Sequence, residues 1–181
     1  MFFKQLGFIF NPVKCISCRA CEMACKNENS CKEDIFLKRL VKIDKREFIP
    51  ISCNHCQNPE CLRVCPENAF IKRMDGIVTI DESRCTGCSL CIDACPFEAI
   101  TYNVKTAKVS KCQMCESRID QGLQPACVSA CSTHALAVED LYEIQTHHLS
   151  RQYKNYPSTL ITNPSIVFKN NVVKEKKHFF I

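Results

Sequence analysis

Sixteen of the seventeen cysteines in this 181-residue chain fall into four groups of four, and that spacing constrains the fold more than any other feature. The groups are Cys15, Cys18, Cys21 and Cys25; Cys53, Cys56, Cys61 and Cys65; Cys85, Cys88, Cys91 and Cys95; and Cys112, Cys115, Cys127 and Cys131. The first and third share C-x2-C-x2-C-x3-C, the second opens its middle gap to four residues, and the fourth opens it to eleven. Only Cys31 stands outside this fourfold repeat. The cysteine density is at the level that signals a disulfide scaffold, so the chain reads as either secreted and cross-linked or metal-loaded. Disulfide partners need Cα atoms about 4.4–6.8 Å apart, a requirement that does not call for repeated C-x2-C runs. Zinc ribbons use two such pairs around a longer insert, which leaves the repeated C-x2-C-x2-C-x3-C unexplained.

A 4Fe-4S cluster does call for that spacing, because several thiolates must converge from one loop on a small inorganic core, as in bacterial ferredoxins. Three closely spaced cysteines wrap the loop around one cluster. The fourth lies across the first turn of a helix and ligates the neighbouring cluster, so two motifs interlock by exchange. In this chain the exchange must happen twice: between the second and third groups, separated only by a hairpin, and between the first and fourth around the outside. The expected fold class is therefore α+β, with two fused ferredoxin-like modules of short strands, short helices and long loops. Residues 1–140 form the double domain, with an inner module at about 50–100 and an outer one at about 4–30 plus 105–138. Residues 141–181, without cysteine, are expected to be a C-terminal docking tail.

FIKRMDGIVTID carries Asp75-Gly76 between β-branched runs, a hairpin signal, with Ile71 and Ile77 to Ile80 in the strands. LCIDACP at 90–96 reads as a short helix stopped by proline, and Pro66 and Pro96 share that position. IFLKRLVKID at 35–44 alternates apolar and basic residues, as a half-exposed strand would. NPSIVF at 163–168 reads as a strand, and VVKEKKHFFI as a mixed basic and aromatic end that is mobile or docked.

The formal charge of +5 could suggest an anionic partner. Four oxidised clusters at about −2 each would bring the loaded protein to about −3, so the excess cations serve as internal compensation. No basic stripe interleaved with aromatics supports nucleic-acid binding. MFFKQLGFIF lacks the basic start, long apolar core and cleavage site of a secretory signal, and there is no twin-arginine pair. No run reaches the roughly 20 apolar residues needed for a membrane span.

KCISCRACEMACK at 14–26, SCNHCQNPECLRVCPENAF at 52–70, RCTGCSLCIDACPFEAI at 84–100 and KCQMCESRIDQGLQPACVSACSTHAL at 111–136 carry a family resemblance. The chain resembles the iron-sulfur, electron-transfer subunit of molybdopterin oxidoreductases, of the type found as the B subunit of dimethyl sulfoxide reductase. The likeness runs from about Lys4 to Val138, and the RIDQGLQPAC interior of the last motif is its most specific part. It implies that Cys15, Cys18, Cys21 and Cys131 hold one cluster, and Cys112, Cys115, Cys127 and Cys25 a second. Cys53, Cys56, Cys61 and Cys95 would hold a third, and Cys85, Cys88, Cys91 and Cys65 a fourth. Some relatives replace one ligand of the third motif and carry 3Fe-4S there, but all four of its cysteines are present here, so four 4Fe-4S clusters are expected. Ser132 stands where the family usually has proline, which should loosen the following turn.

Cys31 reads as an incidental thiol, since every cluster already has four donors. His55 and His134 lie close enough to motifs to be imagined as ligands, as in Rieske centres. Packing or a hydrogen bond to sulfur suits them better, and packing suits His147 and His148. Lys14, Arg84 and Lys111 each precede a motif's first cysteine and read equally as cations near a cluster or as solvated charges. With no nucleophile, acid-base dyad or nucleotide loop, the chain offers no catalytic site of its own and reads as an electron wire. The resemblance implies two partners: a molybdopterin catalytic subunit, and a membrane quinol-oxidising anchor subunit or cytochrome of an anaerobic respiratory oxidoreductase. It also implies peripheral attachment at the bacterial inner membrane through those partners, on the periplasmic rather than the cytoplasmic face. The rival readings are a freely diffusing polyferredoxin, which needs no docking tail, and a structural zinc protein, which would be colourless.

Overall fold

LGFIF, five uncharged residues, forms β1 (Leu6–Phe10), buried along its whole length. In the computed structural model, which describes residues 4–31, 35–45, 47–144, 149–154 and 156–169, it is followed by α1 (Ala20–Glu28) and the hairpin β2 (Lys38–Asp44) and β3 (Glu47–Ser52). Next come α2 (Glu60–Arg63), the hairpin β4 (Phe70–Lys72) and β5 (Val78–Ile80), α3 (Leu90–Asp93), and the hairpin β6 (Ile100–Asn103) and β7 (Lys108–Lys111). The chain continues through α4 (Glu116–Asp120), α5 (Ala126–Ser129), β8 (Leu136–Asp140), β9 (Leu149–Ser150) and β10 (Ile166–Lys169). The class is α+β, as expected. Each antiparallel hairpin spaces one cysteine group from the next. Among the described residues no helix is long and apolar enough to cross a membrane.

The turn at Asp75-Gly76 is longer than a two-residue hairpin loop. Gly76 N donates to Arg73 O at 3.0 Å, Arg73 N donates to Ile77 O at 2.8 Å, and Gly76 takes φ +84°. This is a type I turn followed by a left-handed residue, the arrangement of a three-residue loop. β2 alternates as expected, with Leu40 buried and Arg39 and Val41 exposed. The same parity puts Lys38 on the buried face.

The short helices owe their entry geometry to the cysteine gaps. Where two residues separate the second and third cysteines, the chain enters the helix through a left-handed residue, Arg19 before α1 and Ser89 before α3. Where the gap is longer it enters through an extended proline, Pro59 before α2 and Pro125 before α5. Lys26 follows Cys25 where proline follows Cys65 and Cys95, so α1 runs on for nine residues while α2 and α3 end within four. After Cys131 the expected loosening does not occur. His134 N closes the turn on Cys131 O at 2.9 Å, matching Asn68 on Cys65 at 3.3 Å and Glu98 on Cys95 at 3.1 Å.

The boundary expected at residue 141 does not divide the packing. The four-stranded sheet runs β8-β1-β10-β9, so β10, from the segment expected to be a tail, pairs parallel with the buried β1 and antiparallel with β9. Tyr156 stacks on Phe97 at 5.4 Å and meets Phe168 edge-on at 5.1 Å, while Tyr153 stacks on Phe168 at 4.9 Å. VVKEKKHFFI at the end lies outside the described residues. The buried Asn54 Nδ2 donates to Tyr156 Oη at 2.7 Å. Tyr156→Phe would strand that amide, and is expected to cost about 1–3 kcal/mol, read as a lower denaturant midpoint with unchanged slope.

Candidate metal centres

One backbone device recurs in all four cysteine loops. The second residue after the first cysteine, Ser17, His55, Gly87 or Met114, has positive φ, at 55°, 45°, 74° and 57°. Alternation of right- and left-handed residues turns successive N–H groups toward one concavity, a nest suited to an anion. Donors also reach the sulfurs directly. Met114 N lies 3.4 Å from Cys112 Sγ, Ala69 N lies 3.4 Å from Cys65 Sγ, and Asn29 Nδ2 lies 3.6 Å from Cys25 Sγ. Burial pushes the Cys15, Cys95 and Cys115 thiols up. The N–H groups of Ser17, of Ala99 and Phe97, and of Ala126 work against it.

All seventeen thiols are free of disulfides. Thiols from different groups come together in space. Cys15 faces Cys131 and Cys18, and Cys21 faces Cys127 and Cys131. Cys15, Cys18, Cys21 and Cys131 together line a cavity walled by Phe10, Leu40 and Leu136. Cys53, Cys56, Cys61 and Cys95 line another. Cys91 has Cys88, Cys65 and Cys85 as neighbours, and Cys25 has Cys127 and Cys115. Each neighbourhood thus draws three thiols from one group and the fourth from another. The packing of α1 on α5 and of α2 on α3 brings this about.

The neighbourhoods form a series. Cys21 approaches Cys127, Cys112 approaches Cys53, and the exchanged Cys65 and Cys95 join the second and third groups. Cys25, Cys112, Cys115 and Cys127 are buried, whereas Cys18 at one end and Cys88 at the other are exposed. Burial, the main cause, pushes Cys21 and Cys91 up to about 11 and Cys25, Cys56 and Cys61 to about 12. As free thiols they stay protonated at neutral pH, so loading a metal group must release protons. Among the described residues no three His, Cys, Asp or Glu side chains converge as they would on a single ion. Spaced thiolates around an apolar cavity, with inward N–H groups, fit a larger anionic core such as 4Fe-4S.

Of the three cations preceding motifs, Lys14 and Arg84 are exposed. Lys111 is buried, and its ammonium donates to Val78 O and, at 3.2 Å, to Cys112 O. Two more lysines escaped the sequence reading. Lys72 donates to Cys56 O at 2.8 Å and Gly76 O at 3.1 Å. Lys38 is buried against Ser52. The alternation in β2 was the available signal for Lys38, once Leu40 is placed inward. His55 is wholly buried, and its Nδ1 accepts from Val78 N at 3.0 Å, which places the proton on Nε2. Burial first, then Lys111, Lys72 and Lys38, holds its pKa well below the usual histidine value, so the ring is neutral. His134 is exposed, and His147 and His148 lie outside the described residues. Thr162, another residue the sequence did not flag, has a hydroxyl with no nitrogen or oxygen partner among the described residues, and it lies against Cys56. Cys31 is half-buried beside Lys26 and Cys25, outside the four neighbourhoods.

The 4Fe-4S dicluster domain family matches residues 44–141. A protein of Escherichia coli K12 named "probable anaerobic dimethyl sulfoxide reductase chain YnfG" is 36% identical over 183 residues, 92% of this chain and 89% of that protein. The B subunit of the anaerobic dimethyl sulfoxide reductase of Haemophilus influenzae is 33% identical over 93% of this chain and 90% of its own length. The thiosulfate reductase electron transfer subunit PhsB of Salmonella typhi is 38% identical over 84% of each chain. These relatives and the cysteine architecture together make the chain a member of the 4Fe-4S dicluster family, to which it belongs as a non-catalytic iron-sulfur subunit of the dimethyl sulfoxide reductase type.

Proposed function

We propose that this chain carries four 4Fe-4S clusters and relays electrons between a membrane quinol or cytochrome component and a molybdopterin catalytic subunit of an anaerobic respiratory oxidoreductase. Cys15, Cys18, Cys21 and Cys131 hold the first cluster, and Cys112, Cys115, Cys127 and Cys25 the second. Cys53, Cys56, Cys61 and Cys95 hold the third, and Cys85, Cys88, Cys91 and Cys65 the fourth. The observation that carries the reading is the series of three-plus-one thiol neighbourhoods, with exposed Cys18 and Cys88 at its ends and a buried middle. Bound clusters would accept and pass on single electrons. The chain's own residues fix their spacing through the exchanged cysteines, exclude water with apolar walls, and set potentials through N–H···S bonds and buried lysines. Attachment is peripheral, through partners, on the periplasmic face of the inner membrane. Recovery of the chain with a molybdopterin subunit from native membranes is the expected result; recovery alone, in the soluble fraction, would favour a diffusing polyferredoxin.

The direct test is iron and acid-labile sulfide on chain purified without oxygen, with EPR of the reduced state. About sixteen of each per chain, with spin-coupled signals, is expected from four clusters. About eight of each, the content of two clusters, would overturn the count.

A further inference from the structure

Lys38, at the start of β2, is 2% exposed, and among the described residues no carboxylate forms an ion pair with it. Its ammonium donates to Ser52 Oγ at 2.9 Å and lies 4.5 Å from the centre of the Phe8 ring. A hydroxyl and a ring face do not balance a full charge removed from water, and an ammonium so placed would ordinarily give up its proton. Sulfurs that would carry charge with a cluster bound lie close by: Phe8 packs in one buried cluster with Cys112 and Cys127, Cys21 packs against that cluster, and α1, which carries Cys21 and Cys25, packs on β2. Those four sulfurs belong to two neighbourhoods. Cys21 belongs with Cys15, Cys18 and Cys131; the other three belong with Cys115.

We propose that Lys38 is a positioning residue whose single ammonium, shared between the first and second cluster sites, sets the reduction potentials of both together. The inference rests on the cluster assignment above. Each reduction adds one electron to a site that is already net negative, so a fixed cation nearby favours the reduced state. In a buried setting neither water nor salt screens that attraction strongly. Lys111 is a different case, since two carbonyl oxygens already hold its ammonium beside the third site. The exposed Lys14 and Arg84 are screened by solvent.

The test is an EPR-monitored redox titration of the whole chain, purified without oxygen, as parent, Lys38→Met and Lys38→Arg. Lys38→Met should lower the reduction equilibrium constant of two clusters by at least tenfold, about 59 mV for a one-electron couple, and leave the other two unmoved. Lys38→Arg should restore both. Four unchanged potentials in a fully loaded Lys38→Met chain would overturn the proposal, as would a uniform shift of all four. If Lys38→Met loses iron, full loading in Lys38→Arg supports a role for charge, whereas loss in both assigns the side chain to packing and overturns it. A shortfall in the parent chain's own iron and sulfide would instead count against the cluster assignment.

Discussion

Replacing Cys131 by alanine is expected to strip the site formed by Cys15, Cys18 and Cys21, at the other end of the sequence, and to spare the site of its own motif partners. Cys131 follows α5, and α5 packs on α1, the helix that carries Cys21 and Cys25. Its sulfur lines the cavity of the first group and has the Thr133 hydroxyl 3.8 Å away. Cys112, Cys115 and Cys127 would keep Cys25 as their fourth donor. A site left with three thiolates either converts to 3Fe-4S or empties, so iron should fall by about one to four per chain. The measurement is iron content with EPR, set beside Cys18→Ala and Cys115→Ala. Cys131→Ala must lose the spectral component that Cys18→Ala loses. Loss of the Cys115→Ala component instead would place Cys131 with its own motif and sink the exchange. Cys31→Ala, which lies outside every neighbourhood, should leave the iron content at the parental value.

That experiment marks the limit of what spacing alone conveys. C-x2-C-x2-C-x3-C identifies three donors from one loop, because three cysteines within seven residues have nowhere else to converge. Which loop supplies the fourth donor depends on how helices pack, and that depends on contacts between residues far apart in sequence. The Asp75-Gly76 hairpin, the strand at 35–44, the short helix at 90–96 and the NPSIVF strand were legible for a similar local reason, since turn residues, stop prolines and β-branched runs act on their immediate neighbours. The role of 149–169 was not. The docking of β10 on β1 places Phe168 in the core, with Tyr156 buried against it and Tyr153 stacked on its ring, and that contact joins residues too far apart in sequence to read locally. A long ligand-free segment therefore no longer distinguishes a fixed subunit from a diffusing carrier.

The buried lysines were obscured by a different assumption. Basic residues in an alternating strand are usually assigned to the solvent side, since burying an ammonium is costly. That rule fails where the interior is itself anionic, as it is once iron-sulfur clusters are bound to the buried cysteines. α4 was missed although its stop signal was present. Gly122 N donates to Ile119 O at 2.9 Å and Leu123 N donates to Arg118 O at 2.9 Å, a glycine-ended helix cap written in RIDQGL.

Two glycines in left-handed conformation separate conformational need from steric need. Gly122, φ +75°, has no atom within 4 Å of where a Cβ would stand. Gly122→Ala therefore meets only the backbone penalty, about 1–2 kcal/mol. Gly87, φ +74°, occupies the loop position where the other three motifs carry Ser17, His55 and Met114, all with positive φ. Conformation alone does not demand glycine there. A Cβ on Gly87 would stand 2.0 Å from Ala107 O, in the turn of the β6–β7 hairpin, and a backbone oxygen cannot step aside as a flexible side chain can. Gly87→Ala must add overpacking to the same backbone penalty, so roughly 2–5 kcal/mol is expected in total, about twice the effect at Gly122. The displaced loop bears Cys85 and Cys88, so iron should be lost from the third group's site before any other. Denaturation midpoints of the two variants, taken with iron content on chain kept from oxygen, decide the matter. Equal losses for Gly87→Ala and Gly122→Ala would show that the hairpin yields to the added methyl and that the close approach carries no weight.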